Sequence, residues 1–109
     1  MRLGLSASAF AVAAVLCAAA GVALAAASVD VIERDKLFEK TSITIAAGDT
    51  LNFVNKDAVS HNVMSRAGDT FNLGLMRPGE TKSRTFSVKG TQEVICALHP
   101  RMKMTIQVK

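Results

Sequence analysis

The chain has 109 residues, half of them hydrophobic, with five Phe, no Trp, no Tyr and a formal net charge of +4. That length allows one small domain. The basic excess is mild and its residues are scattered without interleaved aromatics, which argues against a nucleic-acid-binding surface.

In chain order, the first element is not part of a folded domain. Met1 and Arg2 precede an almost wholly apolar, Ala-rich run that ends in small residues, the layout of a bacterial secretory signal peptide. Residues 1–27 are therefore expected to be a leader, cleaved after Ala25 or Ala27. A membrane anchor is the competing reading, since the run is long enough to span. Cleavage implies a periplasmic or secreted domain over residues 28–109, with no stable membrane insertion. Arg2 is the one charged residue lost, so this domain carries +3. Cys17 goes with the leader, and the large Leu16 before it disfavours a lipoprotein signal. Cys96 is then the single cysteine of an exported domain. Exposed thiols oxidise in such compartments, so Cys96 is buried, bound to metal or catalytic.

Residues 29–35 can form a first strand. Residues 41–45 alternate polar and apolar, as a half-buried strand does, and 50–55 follow after a turn at Ala47-Gly48-Asp49. Residues 56–59 connect to a strand starting at Ser60-His61. Residues 66–69 turn, and 71–75 read as short and irregular. Pro78-Gly79 is a strong turn signal, after which 81–88 alternate with Phe86 and Val88 on one face. Gly90 leads into 91–96, and 104–108 close the domain. Seven to eight short strands with regular turn signals and no long amphipathic helix predict an all-β Greek-key sandwich or barrel.

The chemistry is concentrated in Cys96-Ala97-Leu98-His99-Pro100-Arg101-Met102-Lys103-Met104, where a thiol, an imidazole and two thioethers sit between two strands. A soft thiolate with imidazoles and a weak axial thioether is the donor set of a type I copper site. One loop cannot supply the whole trigonal plane. The second imidazole must come from His61, the only other histidine. Taken singly, a lone Cys is more often a core residue, a lone His a loop residue and a strand Met a core residue. The last reading is the default for Met64, Met76 and Met104. Three readings compete for the whole. The first is a one-electron carrier. The second is a protein that binds and delivers copper without transferring electrons. The third is a thiol enzyme built on the Cys–His pair. A c-type haem protein is excluded, because there is no Cys-x-x-Cys-His.

The chain resembles the cupredoxins, in particular the short-loop plastocyanin-, amicyanin- and pseudoazurin-like group. The resemblance rests on Cys-x-x-His-Pro-x-Met at 96–102, Ser-His-Asn-Val at 60–63 and Pro-Gly-Glu-Thr at 78–81, and it extends over the whole of 28–109. It implies a cupredoxin-like Greek-key β-sandwich that holds one copper ion through His61, Cys96, His99 and an axial methionine, with no catalysis. Met102 has the short-loop spacing from His99 and Met104 that of a longer loop; alignment of the last strand favours Met102. The resemblance also implies that Asn62 braces the two ligand loops and that the edge of His99 is the electron exit. Leu98 and Pro100, with Met64 or Met76, would form an apolar docking surface there, and Arg101 would stand beside it. Pro100 would in addition stiffen the loop and keep water from His99. The expected partners are redox proteins, a donor and an acceptor, met transiently by a monomer.

Overall fold

A computed structural model of the protein describes residues 25–109, with Gly4 standing alone before them. All but the last three residues and Gly4 of the expected leader, Cys17 included, lie outside the described residues. Nine strands follow in chain order: β1 (Ser28–Arg34), β2 (Leu37–Phe38), β3 (Ser42–Ile45), β4 (Asp49–Asn55), β5 (His61–Ala67), β6 (Asn72–Met76), β7 (Thr81–Phe86), β8 (Gly90–Ile95) and β9 (Lys103–Val108). Among the described residues there is no helix.

The strands form a four-stranded sheet ordered β2-β1-β4-β7 and a five-stranded sheet ordered β3-β9-β8-β5-β6. β1 runs parallel to β4 and β3 parallel to β9; the other pairings are antiparallel. Strand alternation builds the core directly. In β4, Leu51 and Phe53 point inward while Thr50 and Asn52 do not, and in β9 Met104, Ile106 and Val108 do the same. These side chains join Val31, Val63 and Val94 in one apolar cluster between the sheets. Each contributes about 1.5–3 kcal/mol relative to exposure.

The first strand expected at 29–35 is present as β1, with Asp35 in the turn that follows, and the count reaches nine because of β2, which local sequence does not announce. Asp35 and Lys36 both take positive φ, 54° and 58°. They make the mirror-image two-residue turn that suits a twisted hairpin, usually signalled by Asn-Gly rather than Asp-Lys. The short, irregular element expected at 71–75 is β6, which pairs with β5 across a register shift between Asn62 and Met64 and is bent by Gly74 at φ +76°. One expectation needs correction: Phe86 and Val88 do not share a face. β7 ends at Phe86, whose carbonyl accepts the Gly48 N–H at 2.8 Å, and the chain then bends away, leaving Val88 53% exposed.

Candidate metal centre

The start of β5, the end of β8 and the start of β9 meet at one end of the sandwich. Met64 pairs with Ile95, and Ile95 with Lys103. His61 opens β5 and is wholly buried; Cys96 follows β8 and is 3% exposed with a free thiol. The loop after Cys96 is a closed turn. His99 N–H donates to the Cys96 carbonyl at 3.4 Å, Met102 N–H to the His99 carbonyl at 3.0 Å, and Cys96 N–H to the Met102 carbonyl at 2.9 Å. This curl brings His99 back over Cys96 and seats Met102, fully buried, directly across from the thiol's own backbone. Met104 lies two residues further on, opposite Val94 in the ladder and inside the core.

His61, Cys96 and His99 converge. His61 Nδ1 is 3.1 Å from His99 Nδ1 and 4.0 Å from Cys96 Sγ, and His99 Nδ1 is 3.5 Å from Cys96 Sγ. The circle through these three atoms has a radius of about 2.1 Å, the length of a metal–imidazole bond. Two imidazole nitrogens and one sulfur at the corners of a triangle of that size, on a buried rigid loop, fit a copper ion of type I coordination.

The tautomer of His61 is set from behind. Its Nε2–H donates to Asp57 Oδ2 at 2.9 Å, so Nδ1 carries the lone pair that faces the cluster. Asp57 is itself anchored. Its carboxylate accepts the Lys36 N–H at 2.8 Å and the Ala58 N–H at 3.0 Å, and its own N–H donates to Asn55 Oδ1 at 2.9 Å. Asn55, fully buried, donates in turn to the Val59 and Met76 carbonyls, which pins the 56–60 connection. The Lys36 amide above all holds the Asp57 carboxyl below the usual carboxylate range; desolvation, the next largest effect, opposes it, and the His61 and Ala58 hydrogen bonds add to the lowering. Asp57 and Asn55 were not among the residues singled out in the sequence. The readable signal was that a ligating histidine needs an acceptor for its second nitrogen, and Asp57 stands four residues away.

Asn62 ties this end together. Its N–H points at Cys96 Sγ at 3.3 Å, its Oδ1 accepts the Ala97 N–H at 3.4 Å, and its Nδ2 donates to Asn72 Oδ1 at 2.9 Å and to the Gly74 carbonyl at 3.2 Å. His99 is the ligand candidate nearest solvent. Desolvation first, then the charges of His61 and Lys36, lower its pKa from the ordinary histidine value, with Asp57 opposing. Next to it Leu98 is 52% exposed; Pro100 and Arg101 are exposed and line a shallow cleft with His99, Asp35 and Lys36 of the β1–β2 turn, and Leu37 of β2. Of the two methionines offered for this surface, Met76 is fully buried on β6, in register with His61, as its core reading has it, and Met64 is half-buried.

Two packed sheets carrying a buried Cys–His–His triangle at one end define a cupredoxin-type copper protein. The sequence profile of the copper-binding proteins of the plastocyanin/azurin family matches residues 25–109, and the chain belongs to that family. It is 32% identical to amicyanin of Paracoccus denitrificans over 96 residues, 84% of this chain and 72% of that protein. It is also 32% identical to amicyanin-alpha of Methylorubrum extorquens over 76 residues, 66% of this chain; the match spans 64% of that protein. Among solved structures, a Cu(I) amicyanin variant superposes with a TM-score of 0.70 at 26% identity, covering 75% of this chain and 82% of that one. The copper-containing nitrite reductase of Thermus scotoductus superposes at 0.69 and 26% identity, but only 22% of that longer chain is covered.

Proposed function

We propose that the protein is a periplasmic or secreted one-electron carrier that passes electrons between redox proteins as a monomer and has no substrate of its own. The observation that carries this reading is the triangle of His61 Nδ1, His99 Nδ1 and Cys96 Sγ, held by a closed loop and a buried hydrogen-bond network. His61, Cys96 and His99 would hold the copper, with Met102 as the further, weaker donor. When bound, copper supplies a one-electron couple.

The remaining work belongs to the protein. Asn62 and Asp57 fix the thiolate and the His61 ring, so that the donors move little between oxidation states. The core excludes water from Cys96 and His61. The partly exposed edge of His99, ringed by Leu98, Pro100 and Leu37, is where a partner docks, briefly and over a small area. Delivery of copper is the weaker reading, because closed burial of a thiolate favours retention over release. Membership of the copper-binding plastocyanin/azurin family and the likeness to amicyanin support a carrier rather than an enzyme.

The test is direct. Purified protein should take up one equivalent of Cu(II), turn intensely coloured through thiolate-to-copper charge transfer, and bleach and recover reversibly on one-electron reduction. A colourless or irreversible complex would reject the carrier. Met102→Gln should alter the spectrum and lower the potential, since an oxygen donor favours Cu(II), while Met104→Leu should leave both nearly unchanged. The opposite pattern would transfer the axial role to Met104. Asp57→Asn should weaken copper binding by about 10-fold or more, because the acceptor behind a ligating imidazole both orients it and raises its basicity. A binding titration unchanged in that variant would reduce Asp57 to a loop anchor.

Arg101, with Lys36, sets positive charge beside the docking edge, so acidic partners are favoured through encounter rate more than through complex strength. At low salt Arg101→Glu should slow the bimolecular rate with an acidic redox partner. At physiological salt, where the screening length is about 8 Å, the effect should shrink. A rate indifferent to both salt and Arg101 would assign docking to the apolar ring alone.

A further inference from the structure

Glu33 ends the inward face of β1, in register with Asn55 of β4 and opposite Phe38 of β2. Its side chain is wholly buried, and neither carboxylate oxygen has a hydrogen-bond partner. An isolated buried carboxylate is so unfavourable that the group keeps its proton instead. Burial first, and repulsion from Asp57 second, push the Glu33 pKa up to about 7. The groups around it are few. On its own strand and turn, Arg34, Asp35 and Lys36 are exposed. From β4, Asn55 is neutral, and exposed Lys56 supplies only its backbone N–H to the Glu33 carbonyl at 3.0 Å. β2 faces it with Phe38. The facing sheet brings Met76 and His61 to this end, both linked to β4 through the Asn55 and Asp57 contacts. Asp57 is therefore the charged group that connects Glu33 to the metal centre, because the same carboxylate accepts the His61 Nε2–H.

We propose that Glu33 is a proton-binding site coupled to the oxidation state of the copper centre through Asp57 and His61. The inference rests on the copper-carrier reading. When one electron arrives from a donor protein, the centre loses one positive charge. The Glu33 anion loses part of its electrostatic support, and the carboxylate takes a proton from water, forming its O–H bond. When the electron leaves for an acceptor, that bond breaks and the proton returns to water. Glu33 thus binds its proton several-fold more tightly in reduced than in oxidised protein. By reciprocity, the reduction potential falls as pH rises through the interval between the two affinities.

The experiment uses the full copper-loaded protein and its metal-free form. In metal-free protein labelled at glutamate δ-carbons, one carbon should titrate near neutrality and vanish in Glu33→Gln. In copper protein near neutral pH, the reduced-minus-oxidised infrared spectrum should show the carbonyl band of a protonated carboxyl group. Protonation of His99 cannot produce that band. Glu33→Gln should abolish it and flatten the neutral part of the potential–pH curve. If Gln fails to fold, the wild-type titration and difference spectrum still decide. A wild-type spectrum without the band, or a neutral slope that survives in Glu33→Gln, would overturn the coupling while the coloured, reversible centre leaves the carrier reading intact. A protein that binds no copper would overturn both, with the metal-free titration of Glu33 still measurable.

Discussion

Cys96→Ser should leave a folded protein that no longer turns intensely coloured with Cu(II). The colour requires a sulfur-to-copper charge transfer, and among the described residues Cys96 is the single cysteine of the centre. A serine oxygen is hard and a poor partner for Cu(I), so affinity for the reduced metal should fall most. The fold should survive because the side chain is nearly isosteric. The buried hydroxyl costs about 1–3 kcal/mol, and it can still accept the Asn62 N–H that points at Sγ in the native protein. Absorption during a copper titration, paired with circular dichroism of the β-sandwich, separates the two effects. Retained colour would remove Cys96 from the metal, and lost colour with lost β signal would mean that the thiol is chiefly structural.

The Cys–His–His triangle was legible because its signal is chemical and mostly local. Cys96 and His99 lie in one short loop, and His61 followed because no other histidine exists. The proposal of Met102 as the further donor rests on reading 104–108 as the last strand, in which Met104 stands opposite Val94. What stayed hidden depends on contacts between distant segments. Asp57 acquires its place from a buried amide in β4 and from the Lys36 N–H of a hairpin turn that carries no sequence signature. Val88 was misplaced because an early strand end turns its side chain out of the core, and periodicity alone does not mark that event. Glu33 is a different case. Alternation from Val29 through Val31 puts position 33 on the inward face, so the pattern itself locates a carboxyl where an apolar residue is expected.

That misplaced carboxyl gives the second large effect. Glu33 has an ordinary value of 4.5 when unfolded and about 7 when folded. Well below pH 4.5 the group is protonated in both states and adds no pH-dependent cost. As pH rises from there, the unfolded chain gives up its proton while the native protein holds it, so stability falls. Above pH 7 the native carboxylate is ionised and buried without a partner, and the full penalty persists, about 2–3 kcal/mol. Glu33→Gln keeps the shape and removes the charge. In metal-free protein the variant should therefore match the wild type near pH 4.5 and exceed it by about 2–3 kcal/mol at pH 8.5. Asp57 and His99 titrate in both proteins, so their contributions largely cancel in the difference. Urea unfolding at a series of pH values measures this. A constant offset between the two proteins would show that Glu33 titrates alike in the folded and unfolded chain. A wild type more stable than the variant at alkaline pH would show that the native fold supplies the carboxylate with a cation or donor that favours its ionised form.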